Sequence, residues 1–260
     1  MKRRLISLIF ISLIVFLLSP PNIFANNLIE KRYLGQLDFV NNLIDAFSLG
    51  LEKEIGYNTY QQIITKNEVV KLPQEKEEWL NSMFFNLVKQ TQRQGEIKYS
   101  IAVVRDDTVN AFALPAGYIF VHTGLLSYIK SDSELAGVLA HEIAHVEKRH
   151  SMKTISRTIG MSVLLGLIVD KSSEKRREQI SKIGAVAISL AQLGYSREAE
   201  YEADAYGVKY MRIAGYDKND LLNFWKRMEA ESGGDKNPAI FQLFSTHPPT
   251  SERIKRIEAM

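Results

Sequence analysis

The sequence predicts a mostly helical α+β fold with a small antiparallel sheet beside the helices. Three observations point there. Long stretches carry apolar residues at mixed three- and four-residue spacing, the period of a helix with one buried face. Three short β-branched and aromatic runs lie close together after Ile97, separated by turn residues. From Asn26 to Met260 no low-complexity tract, fixed-period repeat or long Pro/Gly/Ser linker interrupts the chain, so one domain over residues 26–260 is expected.

At the start, Lys2, Arg3 and Arg4 precede an apolar run from Leu5 to Leu18, interrupted only by Ser7 and Ser12, then Ser19-Pro20-Pro21 and the small Ala25. The run is shorter than the roughly 20 residues that cross a bilayer. Residues 1–25 therefore read as a cleaved secretory signal; an uncleaved anchor is the alternative, favoured by Ile23 at the third position before the cut. Either way the body is exported, to a periplasm or the outside.

Helices follow over Leu43–Ile64 and over Gln74–Gln94, the second started by Pro73 and stopped by Gly95. Ile97–Val104, Val109–Leu114 and Tyr118–Val121 are the strands, parted by Asp106-Asp107 and by Pro115-Ala116-Gly117. Further helices are expected over Ser133–Arg149, Met152–Val169, Glu174–Leu193, Arg197–Ile213 and Lys218–Ala230, then a loop with Gly233, Gly234 and Pro238, and a last helix from Ser251. The apolar run Ile159–Val169 is too short to span a membrane and reads as a buried helix; a membrane-surface role is the alternative, and with it peripheral membrane association.

Charge and cysteine content remove several function classes. Lys2, Arg3 and Arg4 are three of the 33 basic residues, so past residue 25 the 30 remaining bases meet 30 acids. A neutral body lacks the basic surface that nucleic acid requires. With no cysteine, disulfides, thiol nucleophiles and Cys-ligated zinc are excluded, leaving His, Asp and Glu to hold a metal.

His141-Glu142-Ile143-Ala144-His145 is an H-E-x-x-H sequence inside a predicted helix whose start is marked by Ser131 and Glu134 in capping-box spacing. Residues four apart lie one turn above each other, so both imidazoles can reach one tetrahedral Zn²⁺. Glu142, rotated by about 100°, reaches the water on the metal rather than the metal, as a general base must. The bland alternative is two core histidines with a chance glutamate between them.

A third ligand must come from elsewhere. Lys148 and Ser151 stand where the H-E-x-x-H-x-x-G-x-x-H pattern needs Gly and His, and His150 is off register and reads as a solvated helix end. A carboxylate is then the natural choice. Ser196 caps a helix after the Gly194 stop, and Glu200 and Asp204 on it are one turn apart. That spacing lets Glu200 bind the metal while Asp204 accepts the second ring proton of a ligand histidine, with Glu198 and Glu202 pointing elsewhere. Taken alone, the segment also reads as an acidic solvated helix face. Ligand type and geometry favour one zinc per chain.

H-E-I-A-H, then E-Y-E-A-D, then T-H-P-P near the C-terminus resemble a gluzincin family that includes the CAAX prenyl protease, the heat-shock protease HtpX, mitochondrial inner-membrane quality-control proteases and periplasmic proteases that tend outer-membrane assembly. The resemblance runs from about Leu51 to Ile257 and implies a zincin-like metallopeptidase domain. It implies zinc on His141, His145 and Glu200, Glu142 as catalytic base and Asp204 behind the ligands. It also implies that His247 and Arg253 stabilise the oxyanion, and that substrate pairs with the edge strand carrying Asn110, Ala111, Phe112 and Ala113. The chain shows neither the several spanning helices of the prenyl and heat-shock members nor the helical-repeat tail of some periplasmic ones.

The resulting expectation is a zinc endopeptidase acting on misfolded or unassembled exported polypeptides through metal-activated water. The rival is a chaperone-like assembly or quality-control binding protein whose zinc site is latent, with His247 latched onto the fourth zinc position so that no water is left to activate.

Overall fold

The computed structural model describes residues 48–160, 163, 164, 166, 167, 174–232, 243, 245–248 and 251–260. The expected export signal 1–25, residues 43–47 of the first expected helix, and the loop with Gly233, Gly234 and Pro238 lie outside the described residues.

Helix α1 covers residues 48–66. Pro73 sits at the N-cap of α2, Gln74–Val88. This helix stops short of the expected Gln94 because the backbone N–H of Thr91 and its hydroxyl both donate to the Val88 carbonyl, closing the last turn. Three strands follow: β1 (Ser100–Val104), β2 (Ala111–Ala113) and β3 (Tyr118–His122).

The sheet is mixed, where an antiparallel one was expected. β3 lies in the middle, antiparallel to β2 but parallel to β1. The reversal at Pro115-Ala116-Gly117, with positive φ at Ala116 (63°) and Gly117 (92°), folds β3 back on β2. The loop between β1 and β2 does not close a hairpin. Asp106 holds it by accepting from the Thr108 N–H at 2.8 Å and hydroxyl at 2.6 Å, and β3 inserts beside β1. The outer side of β1 is covered, since the Val70 N–H donates to Val103 and Arg105 donates to Glu68. β2 lies at the edge of the sheet, with no further strand beside it among the described residues.

Strand alternation sorts the two faces. Ala111, Ala113, Ile119 and Val121 enter the main core. Phe112, Tyr118 and Phe120 form an aromatic layer with Tyr60 of α1, whose ring stacks 4.8 Å from Tyr118 and 5.6 Å from Phe120.

After the short α3 (Thr123–Tyr128) comes α4, Asp132–Glu147. Its N-cap is Ser131, whose hydroxyl accepts from the Glu134 N–H at 3.2 Å. Glu134 closes the box one residue early, accepting from the Lys130 N–H at 2.8 Å. Every residue from Glu134 to Val146 is buried, so α4 is enclosed on all sides. Small residues permit this. Gly137 leaves room for Leu221 of α8 (Lys218–Ser232), whose side chain a Cβ would meet at 2.8 Å. Gly207 of α7 (Arg197–Ala214) lies where a Cβ would come within 3.2 Å of the His141 backbone nitrogen.

α5 (His150–Ile159) ends at Gly160, φ 85°, short of the expected continuous helix to Val169. Leu164 and Leu167 are buried in a second core with Leu51, Ile55, Met152, Ile155, Ile180 and Ile183, but Val163 is 40% exposed and Gly166 exposed, so the described part of the expected buried helix is buried on one face only. Among the described residues no helix is long and apolar enough to cross a membrane. α6 (Glu174–Leu193) and α9 (Ser251–Ala259) complete the described elements.

The α4–α7 approach yields a stability expectation. Gly207→Val should cost about 1–3 kcal/mol through overpacking against the α4 backbone, read as a shift in the denaturant midpoint. An unchanged midpoint would mean that the helices are not so closely apposed.

Candidate active site

α4 and α7 assemble the site because their buried faces meet at Gly207. On α4, His141 and His145 stand one turn apart with Nε2 atoms 3.0 Å from each other. On α7, Glu200, Ala203, Asp204 and Gly207 form the buried stripe facing them. Glu200 Oε2 lies 3.2 Å from His141 Nε2, and Oε1 lies 3.5 Å from His145 Nε2. His141 Nδ1 lies 3.0 Å from Asp204 Oδ1. Glu198 points away and is fully exposed.

The second histidine has a support that sequence spacing missed. His145 Nδ1 is 2.8 Å from His150 Nδ1, and His150 Nε2 is 3.0 Å from Glu202 Oε2. His150 is buried rather than solvated. Lys148 and Arg149 leave the helix, and Arg149 adopts φ 55°, which turns α5 so that its first residue faces back onto His145. A carboxylate only accepts, so His150 donates from Nε2 and accepts at Nδ1 the proton on His145 Nδ1. The lone pair of His145 Nε2 is thereby freed. Tyr195 stacks on the His145 ring at 4.4 Å, and its hydroxyl is 2.6 Å from Ser151 Oγ.

Asp204 sets the same tautomer on His141. With both imidazoles neutral, two Nε2 lone pairs face each other and a carboxylate, an arrangement that calls for a cation in place of the proton that otherwise sits there. Tetrahedral ligands about 2.0–2.1 Å from zinc sit roughly 3.4 Å apart, close to the separations found. With His141 neutral and the carboxylates ionised, the three buried carboxylates Glu142, Glu200 and Asp204 against the buried Arg253 leave two negative charges for a divalent ion to cancel. The residues fit zinc.

His247 joins the donor set: its Nδ1 lies 3.2 Å from Glu200 Oε2 and 3.3 Å from His141 Nε2. All four donor groups fall within 4.8 Å of one another. Its Nε2 faces Glu142 Oε1 at 3.4 Å. The segment is seated on the end of α6, where Gly194 leaves no space for a Cβ beneath the Thr246 carbonyl.

Arg253 sits differently from the expected oxyanion donor. Its Nε and Nη2 both donate to Asp204 at 2.7 Å, Nη1 donates to the Pro248 carbonyl, and Nη1 lies 3.1 Å from Glu200. This placement makes it a positioning residue behind the donors.

Glu142 is buried, and among the described residues neither of its carboxylate oxygens has a hydrogen-bond partner. Burial pushes its carboxyl above the usual range, against the pull of His247 and His141. Burial also opposes charge on His141, but Asp204 and Glu200 outweigh it and hold that imidazole up at about 9. His145, buried with weaker compensation from Glu200, falls well below the ordinary imidazole value.

Of the strand residues, Ala111 and Ala113 face α4, and the Ala113 backbone lies beside Glu142. Phe112 turns to the other face and stacks 5.3 Å from Phe120. Asn110 is buried with both side-chain amide atoms lacking a partner among the described residues.

Two outcomes follow for metal binding. His150→Ala should weaken zinc affinity about 10- to 100-fold with the fold intact, measured by competition with a chromophoric chelator; equal affinity would remove His150 from the support of the site. Below about 9, His141 in the metal-free protein carries a proton that metal must displace. Zinc affinity should therefore rise about tenfold per pH unit across neutrality, and a flat profile would mean that His141 is already neutral.

Peptidase family M48 matches residues 74–260 of the chain. The Schizosaccharomyces pombe mitochondrial metalloendopeptidase OMA1 is 32% identical over 235 residues, 87% of this chain and 67% of that protein. A putative beta-barrel assembly-enhancing protease of Vibrio cholerae is 30% identical over 251 residues, 90% of this chain but 48% of the relative. The Escherichia coli metalloprotease YcaL is 27% identical over 161 residues, 62% of this chain and 61% of its own length. The chain thus spans about half to two thirds of these proteins. With the H-E-x-x-H helix, the cluster of His141, His145, Glu200 and His247 and the family match in agreement, the chain belongs to the metallopeptidases of family M48.

Proposed function

We propose that this protein is an exported zinc endopeptidase that cleaves extended polypeptide, with misfolded or unassembled exported proteins as its substrates. One observation carries the reading: the buried Glu142 lies beside both a cation-demanding donor set, 3.4 Å from His247 Nε2, and the backbone of the sheet's edge strand at Ala113. His141, His145 and Glu200 would hold the metal. When bound there, zinc supplies Lewis acidity that acidifies water and polarises a peptide carbonyl.

The chain's own groups do the rest. Glu142, its carboxyl raised by burial, takes the proton of the attacking water and returns it to the departing amine. His247, with Nε2 toward Glu142, is placed to donate to the oxygen on which charge develops. Arg253 and Asp204 fix His141, while Glu202 and His150 fix His145. An open strand edge recognises backbone, so it selects chains that are locally unfolded over particular side chains. The basic and apolar start of the sequence supports export, and the Vibrio relative's name supports a role in beta-barrel assembly.

A second reading has its own observation. His247 Nδ1 lies among the donors at ligand-like separations. With His247 as a fourth protein ligand, a tetrahedral site has no place for water. The protein would then act as a binding or assembly factor until the latch opened.

Glu142→Gln should retain zinc and lose about 10²- to 10⁴-fold in hydrolysis of unfolded casein; equal activity would refute the mechanism. His247→Ala should lower kcat about 10²- to 10³-fold on the first reading, through loss of an oxyanion donor, and raise activity on the second.

A further inference from the structure

A cluster of buried charge outside the metal site joins α1 to both the substrate strand and the H-E-x-x-H helix. Glu52 of α1 is 1% exposed. Arg93 donates to it through Nη1 at 3.0 Å and Nη2 at 2.9 Å, and Arg149 Nε lies 2.9 Å away. Glu52 and Arg93 are buried while the Arg149 side chain is 30% exposed, and burying an ion pair is costly unless the geometry serves another purpose. Two further bonds show what the cluster reaches. Arg93 Nη1 donates to the Val146 carbonyl at 2.8 Å, at the end of α4, one residue after the ligand His145. Glu52 Oε1 accepts from the Ala116 N–H at 3.3 Å, in the turn that ends β2.

That turn is strained and tightly gripped. Ala116 has φ 63°, a conformation disfavoured for any residue with a Cβ and kept only where neighbours impose it. One turn along α1 from Glu52, Gly56 lies so close that a Cβ would stand 2.2 Å from the Pro115 carbonyl oxygen. A further turn along, Tyr60 stacks on Tyr118 and Phe120 of β3. Glu52, Gly56 and Tyr60 thus form one stripe of α1 laid along the β2–β3 reversal.

We propose that this stripe is a clamp that sets the distance between the peptide-binding edge of β2 and the helix carrying Glu142, with Glu52 and Gly56 as its positioning residues. Glu52 holds the strand end directly and the helix end through Arg93. Loosening it shifts the strand relative to the donors without touching a metal ligand. The inference rests on the reading that substrate pairs with β2.

The test uses full-length, zinc-loaded protein carrying Glu142→Gln, so that fluorescently labelled casein binds without being cut, with affinity read by anisotropy. Glu52→Gln keeps an acceptor for Ala116 but removes the charge. Gly56→Ala leaves the charges intact and pushes the Pro115 turn. Each should weaken casein binding about tenfold while zinc stoichiometry stays at one. A merely structural role would lower the melting temperature and leave the affinity of the folded fraction unchanged, and that result would overturn the clamp. Failure of the Glu142→Gln parent to bind casein would instead remove the β2 reading, and the clamp with it.

Discussion

The metal centre depends on the double hydrogen bond between Arg253 and Asp204. Asp204 is buried, and burial alone would raise its pKa; Arg253 and His141 instead hold it below the usual carboxylate range. A charged Asp204, 3.0 Å from His141 Nδ1, favours a proton on that nitrogen, so that in the neutral imidazole the Nε2 lone pair faces His145 and Glu200. Breaking a buried pair of this kind leaves an uncompensated charge, worth about 3–5 kcal/mol. The chain's last helix is thus tied to its catalytic motif, since Arg253 sits on α9 and Asp204 on α7.

Close helix packing makes that pairing reachable. Ala136, Gly137, Ala140 and Ala144 give α4 little side-chain volume, and Gly207 lets α7 approach its backbone. The two ligand histidines are nevertheless supported unequally. His141 rests on a buried carboxylate neutralised by a buried guanidinium. His145 rests on a neutral imidazole, itself oriented by Glu202, whose side chain is 35% exposed and 2.8 Å from Lys148. The first support is shielded from salt, while the second ends where solvent screens charge.

Much of this was readable from residue spacing, because helical periodicity is a local property. His141 and His145, and likewise Glu200 and Asp204, are pairs whose faces follow from 3.6 residues per turn. His150 escaped the same logic, since its contact with His145 depends on Arg149 leaving the helix at positive φ, a conformation that an arginine does not announce. Glu202 points away from the metal as its spacing demands, yet reaches the site through His150. The parallel pairing of β1 with β3 was equally hidden. Alternating runs reveal strands and their faces, but strand order is settled by contacts between distant segments. Nothing in the local sequence around Glu52 marks it, because its bonds to Arg93 and Ala116 arise only where α1 packs on the Pro115 turn.

β2 contains three residues, Ala111–Ala113. At about 3.3 Å per residue, it offers a docking rail of only roughly 10 Å. A polypeptide laid along so short a rail gains few backbone hydrogen bonds, each worth about 0.5–1.5 kcal/mol net. On the proposed reading, residence is brief, and the cut fragments dissociate readily rather than being threaded onward. Such an enzyme would sample a disordered chain by repeated independent encounters, favouring long, persistently unfolded proteins that present many sites over short peptides that present one.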